Sequence, residues 1–195
     1  DHFSLLSQQP YRSLIGPDHR RWALVRSVSK FLGPDMCLAV AASDPHTADR
    51  LAMRLSPGTT WVSHLLQRLT HALVTDPKAS VLIADAGRHY AERNAAFTER
   101  VSVSDAADEG IRAHLGDGLN LWIELPVQAR DVCDELMRRG WLARPGDEFV
   151  LADASATRRL RLTVHDLSDA DGERLVADLV SAVRSVRRRG GMIER

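Results

Sequence analysis

A primary amine beside two hydroxyls is the most reactive grouping in this chain: Ser27-Val28-Ser29-Lys30. Only two lysines occur, Lys30 and Lys78, among 26 basic residues, so nearly every other cation is arginine. An amine condenses with an aldehyde to form a Schiff base, which a guanidinium does not do. Hydroxyls and backbone N–H groups in one turn suit a phosphate. Together, Lys30, Ser27 and Ser29 suit an aldehyde cofactor that carries a phosphate, and pyridoxal 5'-phosphate meets that description. Such a cofactor also uses an acid opposite its ring nitrogen, for which Asp1 is a candidate by residue type. Each residue also has a plainer reading, Lys30 as a solvated lysine at a strand end and Asp1 as a solvated terminal aspartate.

The elements that must position these residues can be read from pattern. Residues 21–27 and 37–43 read as buried strands separated by the breaker Gly33-Pro34-Asp35, which puts Lys30 in their connection. Asp44-Pro45 reads as an N-cap and first-turn proline opening a helix to about Leu55, closed by Ser56-Pro57-Gly58. A second helix is expected over 60–75, with Val62, Leu65, Leu66, Leu69 and Leu73 on one face as core or interface. A third follows Asp76-Pro77 and runs to about Arg100. Beyond Ile111 short strands alternate with helices: strands at 119–125, 141–144, 149–152 and 159–164, helices at 127–139 (ending at Gly140) and from Ser168 onward.

Three segments carry a family resemblance. They are Asp1-His2-Phe3-Ser4-Leu5-Leu6, then Arg26-Ser27-Val28-Ser29-Lys30-Phe31-Leu32-Gly33-Pro34-Asp35, then Trp61-Val62-Ser63-His64-Leu65-Leu66-Gln67. With Gly118 to Trp122, Arg144 to Phe149 and Leu160 to Thr163, the chain resembles, over nearly its whole length, the aminotransferase-like domain of MocR-type (GntR family) transcriptional regulators, in particular their PtsJ-like branch. The resemblance implies an α/β chain: the C-terminal part of a fold type I aminotransferase-like domain, a remnant of the large domain plus a small α+β domain. It implies the internal aldimine at Lys30, phosphate contacts at Ser27 and Ser29, an α-carboxylate grip at Arg161 and a softer ligand contact at Asn120. For Arg161 the alternative is a surface strand arginine, since Arg158 and Arg159 adjoin it. One departure stands out. Family members usually read Gly-Pro-Asp-Leu-Arg where this chain has Gly33-Pro34-Asp35-Met36-Cys37, so the arginine that reaches the phosphate is missing. Arg26 is a possible substitute, although strand alternation can point it the other way. Cys37 itself is expected to be a buried, inert thiol.

Composition narrows the class. Acidic and basic residues balance at 26 each, which removes the global positive field that drives nucleic-acid binding, and the basic run 187–189 suits a solvated helix end. Cys37 and Cys133 lie far apart, which fits a reduced, cytoplasmic protein. No run of eighteen apolar residues is present, and no membrane partner is expected. His64 and His71 stand seven apart on a helix, about 10 Å along its axis, too far to share a metal ion. A chain that opens on Asp1 is read as a piece of a longer polypeptide.

The domain expectation is 1–75 as the end of the cofactor-binding large domain, 76–100 as a linking helix and 101–195 as the small domain. The functional expectation is an effector domain that senses pyridoxal phosphate or an amino-acid ligand, in a homodimer, with DNA bound through a winged helix-turn-helix domain absent from this chain. Two other readings stand beside it. One is a pyridoxal-phosphate-dependent aminotransferase acting on an amino acid; the other is a degenerate dimerisation scaffold, supported by Cys37.

Overall fold

The computed structural model describes residues 5–58, 61–150 and 157–193, which fall into two compact units divided between Arg88 and His89. In the first unit, β1 (Ala23–Ser27) and β2 (Ala39–Ser43) form an antiparallel hairpin with Ala23 opposite Ser43 and Ser27 opposite Ala39. Helix α1 (Pro45–Leu55) follows directly. Its cap, Asp44, is buried and serves both elements. The carboxylate accepts hydrogen bonds from the Thr47 hydroxyl at 2.5 Å, the Thr47 N–H at 3.2 Å and the Trp22 N–H at 2.9 Å. The Thr47 hydroxyl and then the Trp22 N–H hold this carboxyl far below the usual range, because each favours the charged form.

Helix α2 (His64–Thr75) starts four residues later than the apolar pattern suggests, since the Ser63 hydroxyl accepts the Leu66 N–H and makes Ser63 the cap. Its expected apolar face is largely uncovered among the described residues, with Leu65 75% exposed. Helix α3 (Pro77–Ser102) begins in this unit, and its second half belongs to the other.

The second unit holds the better-filled core. Its sheet runs β3 (Arg112–His114), β4 (Leu121–Glu124), β6 (Arg159–Leu162), β5 (Arg144–Pro145), with every neighbouring pair antiparallel. Alternation sorts the central strands by face. Leu121 and Ile123 from β4 and Leu160 and Leu162 from β6 are fully or almost fully buried, while Trp122, Glu124, Arg159 and Arg161 take the opposite face. The buried face packs with Phe97 and Val101 of α3, Leu136 of α5 (Ala129–Arg138) and Leu179 and Val183 of α6 (Asp169–Ile193).

A short helix α4 (Asp105–Asp108) and strand β3 have no counterpart in the sequence expectation. Two expected strands are corrected. Residues 141–144 contribute only Arg144 to β5, and Phe149 closes a 3₁₀ turn (Gly146–Phe149), while 151–152 lie outside the described residues. Buried Glu135 joins α5 to α6. Burial alone would raise its carboxyl, but Arg189, Arg138 and Arg139 outweigh burial and hold it below the usual range. No helix among the described residues is long and apolar enough to cross a membrane.

Candidate functional site

The turn after β1 carries the amine. Ser27 donates its hydroxyl hydrogen to Ser29 Oγ at 3.2 Å, the Ser29 N–H donates to Ser27 Oγ at 3.3 Å, and the Ser29 hydroxyl donates to the Met36 carbonyl at 2.9 Å. Phe31 and Leu32 both donate N–H to the Val28 carbonyl, so the chain winds tightly around Lys30. The return to β2 passes through Gly33, whose φ of 111° suits a residue without a side chain. Lys30 is exposed, and among the described residues its Nζ has neither a carboxylate nor a hydrogen-bond partner. The amine is therefore free to react and is presented beside two half-buried hydroxyls.

One sequence expectation about this turn is corrected. Cys37 is exposed, with Sγ 3.5 Å from the Pro34 carbonyl, because the loop turns it outward before β2 begins. Arg26 sits across from Val40 in the hairpin, on the face opposite Ser27, and its guanidinium rests 4.2 Å from the centre of the Tyr11 ring. Alternation thus separates the Arg26 side chain from the Ser27 hydroxyl within β1. Asp1 lies outside the described residues.

In the second unit, Arg161 and Asn120 share the outer sheet face. Arg161 is in register with Trp122, and Asn120 precedes β4 with its Oδ1 accepting the Thr163 hydroxyl at 2.8 Å. The Asn120 amide nitrogen is thereby left to donate elsewhere. The loop before Asn120 is pinned from behind by buried Asn94, whose Nδ2 donates to the Gly118 carbonyl at 2.9 Å. Among the described residues no carboxylate pairs with Arg161. Instead its guanidinium lies 4.5 Å from the centre of the Phe149 ring, and Phe149 meets Trp122 edge-on at 5.4 Å and 88°. Nearby carboxylates are committed elsewhere. Glu148 pairs with Arg144 at 2.8 Å, and Glu124 takes His114 at 2.8 Å. The His114 hydrogen bond, followed by the charges of Arg159 and Arg112, holds Glu124 below the usual range.

No family model matches the chain. Over 183 residues, 94% of its length, it is 38% identical to the vitamin B6 salvage pathway transcriptional repressor PtsJ of Salmonella typhimurium, of which the match covers 41%. Its fold matches the kynurenine aminotransferase of Pyrococcus horikoshii with a TM-score of 0.74 at 16% identity, over 86% of this chain and 42% of that one. The fold is that of a fold type I aminotransferase. The α-aminoadipate aminotransferase LysN of Thermus thermophilus, solved with N-(5'-phosphopyridoxyl)-L-leucine, has this fold at a TM-score of 0.68 and 22% identity, over 85% of this chain and 42% of LysN. The chain spans about two fifths of the length of these relatives.

Within this fold type I frame the turn can be tested against pyridoxal phosphate on its own atoms. The unpartnered amine of Lys30 and the paired hydroxyls of Ser27 and Ser29 fit an aldehyde and a phosphate. Position 37, where the resemblance expects an arginine, carries an exposed cysteine instead. Sequence reasoning missed Trp122, Phe149 and Thr163. Alternation in the two central strands places Trp122 on the Arg161 face, but the register that makes them neighbours is not written in either strand alone.

Proposed function

We propose that this chain is the pyridoxal-phosphate-binding effector domain of a MocR-type transcriptional regulator. The observation that carries the reading is the free amine of Lys30 held in one turn with the Ser27 and Ser29 hydroxyls, on a chain 38% identical to a regulator over nearly its whole length. When bound, the cofactor supplies an aldehyde for the amine and a ring that can accept electron density. This chain's residues do the rest. Lys30 tethers, Ser27 and Ser29 hold the phosphate end, and Arg161 with Asn120 orients the carboxylate of an amino-acid ligand. Residues 1–75 act as the end of the cofactor-binding lobe, 76–100 as the link and 101–195 as the small domain.

The working protein is a cytoplasmic homodimer whose DNA contact is made by a winged helix-turn-helix domain outside this chain. Sensing requires that the loaded and empty forms favour different arrangements of the protein, because a ligand shifts an equilibrium only through differential affinity. Borohydride reduction of the full chain after incubation with pyridoxal phosphate, followed by peptide mass mapping, tests the reading. A phosphopyridoxyl group on Lys30, lost in Lys30→Ala, is the expected result. Labelling of Lys78 alone, or of neither lysine, overturns it.

The second reading, a pyridoxal-phosphate-dependent aminotransferase, is favoured by the unpaired Arg161 guanidinium, which suits an amino-acid substrate as well as an effector. Formation of a keto acid in stoichiometric excess over protein would choose it.

A further inference from the structure

We propose that Phe149 and Trp122 are positioning residues for Arg161, forming an aromatic brace that presets its guanidinium to receive a carboxylate from an amino-acid ligand. This rests on the reading of Arg161 given above. A guanidinium resting on a ring face spends none of its N–H donors on that contact, so its edge stays available for two parallel hydrogen bonds to a carboxylate. The stacking of Arg161 on Phe149 has that character, with 4.5 Å to the ring centre and no carboxylate on the guanidinium among the described residues.

The ring is itself constrained from two directions. Trp122, the register partner of Arg161, meets it at 5.4 Å and 88°, an edge-to-face geometry that aromatic pairs prefer. The 3₁₀ turn that ends in Phe149 is locked to the start of β6. Asp147 Oδ1 accepts the Thr157 N–H at 2.8 Å and its hydroxyl at 2.5 Å. Gly146 lies so close to that strand that an added Cβ would come within 2.7 Å of the Arg159 carbonyl. A turn tied to β6, a ring and an indole therefore border this long side chain. Its register partner on β5, Arg144, is neutralised by Glu148. Among the described residues the charge of Arg161 has no carboxylate partner, and its guanidinium lies over the Phe149 ring.

The test measures how much the full chain gains from a ligand's carboxylate. Two probes are titrated, N-(5'-phosphopyridoxyl)-L-leucine and its decarboxylated counterpart, N-(5'-phosphopyridoxyl)-3-methylbutylamine. The readout is the ratio of their dissociation constants. A charge-assisted pair predicts a ratio of roughly tenfold or more for the unmodified chain, falling to about one in Arg161→Met. Phe149→Leu is expected to cut the ratio by about three- to fivefold with the decarboxylated probe bound as before, and Phe149→Tyr to restore it. Trp122→Leu removes the second contact of the brace and is expected to act in the same direction, which keeps the test usable if Phe149→Leu does not fold.

A full ratio in both Phe149→Leu and Trp122→Leu, with the ratio lost in Arg161→Met, overturns the brace and leaves Arg161 as the carboxylate site. Equal weakening of both probes overturns it too, since that marks a lost wall rather than a lost orientation. A ratio near one in the unmodified chain removes the Arg161 reading, and the brace with it.

Discussion

One carboxylate oxygen of Asp147 accepts both the backbone N–H and the hydroxyl of Thr157, at 2.8 and 2.5 Å. The two bonds, hydroxyl first, hold the Asp147 carboxyl below the usual range, so the folded protein prefers its charged form. The sign follows from that depression. The stabilising contribution is complete above the ordinary carboxylate range and is lost as pH falls through it toward the depressed folded-state value. Melting temperature measured from about pH 7 down to about pH 3 should fall less steeply in Asp147→Asn than in the unmodified protein. Parallel curves for the two would count against this tie.

Restoring the absent cation should strengthen the cofactor turn. Cys37→Arg places a guanidinium where the family resemblance expects a phosphate arginine, and a hydrogen bond to a charged group contributes about 1.5–3 kcal/mol. Fluorescence titration with pyridoxal phosphate should show at least about tenfold tighter binding. An unchanged affinity would mean that another group already neutralises the phosphate.

The two thiols should differ sharply in reactivity. Cys133 is buried in the α5 face of the core, and burial first, then the charge of Asp134, pushes its pKa up to about 11. Cys37 stands exposed on the loop before β2. Brief iodoacetamide treatment of the native protein near pH 8, read by peptide mass, should modify Cys37 and spare Cys133, because the thiolate is the reacting species. Equal modification would show that the core opens on the labelling timescale.

Local signals were strong where a short stretch decides the structure by itself. Asp44-Pro45 placed the start of α1, Gly140 marked the end of α5, and alternation found β6, whereas β1 and β2, expected as buried strands, are half-buried to exposed. The pattern failed where a distant partner decides. Phe149 has strand composition, yet it closes a 3₁₀ turn because Asp147 is bonded to Thr157 ten residues on. The two residues of β5 exist as a strand only through pairing with β6. In the candidate turn, Ser27, Ser29 and Lys30 are local in sequence, so one short stretch brings them together. Trp122, Phe149 and Thr163 meet Arg161 and Asn120 through register and turn geometry, which no spacing encodes.

Two leucines with the same side chain should report opposite environments. Leu179 on α6 is fully buried within the core of the second unit, among Leu121, Leu136 and Leu160. Truncating it removes apolar burial and leaves a cavity that the surrounding strands and helices fill only in part, so Leu179→Ala should cost about 2–5 kcal/mol. Leu65 on α2 is 75% exposed, and Leu65→Ala in this chain should stay within about 0.5 kcal/mol of the parent. Denaturant unfolding followed by circular dichroism gives both values. A large loss from Leu65→Ala would reveal that the apolar stripe of α2 is covered in solution, and the concentration dependence of that loss would separate a second copy of the chain from a contact within it.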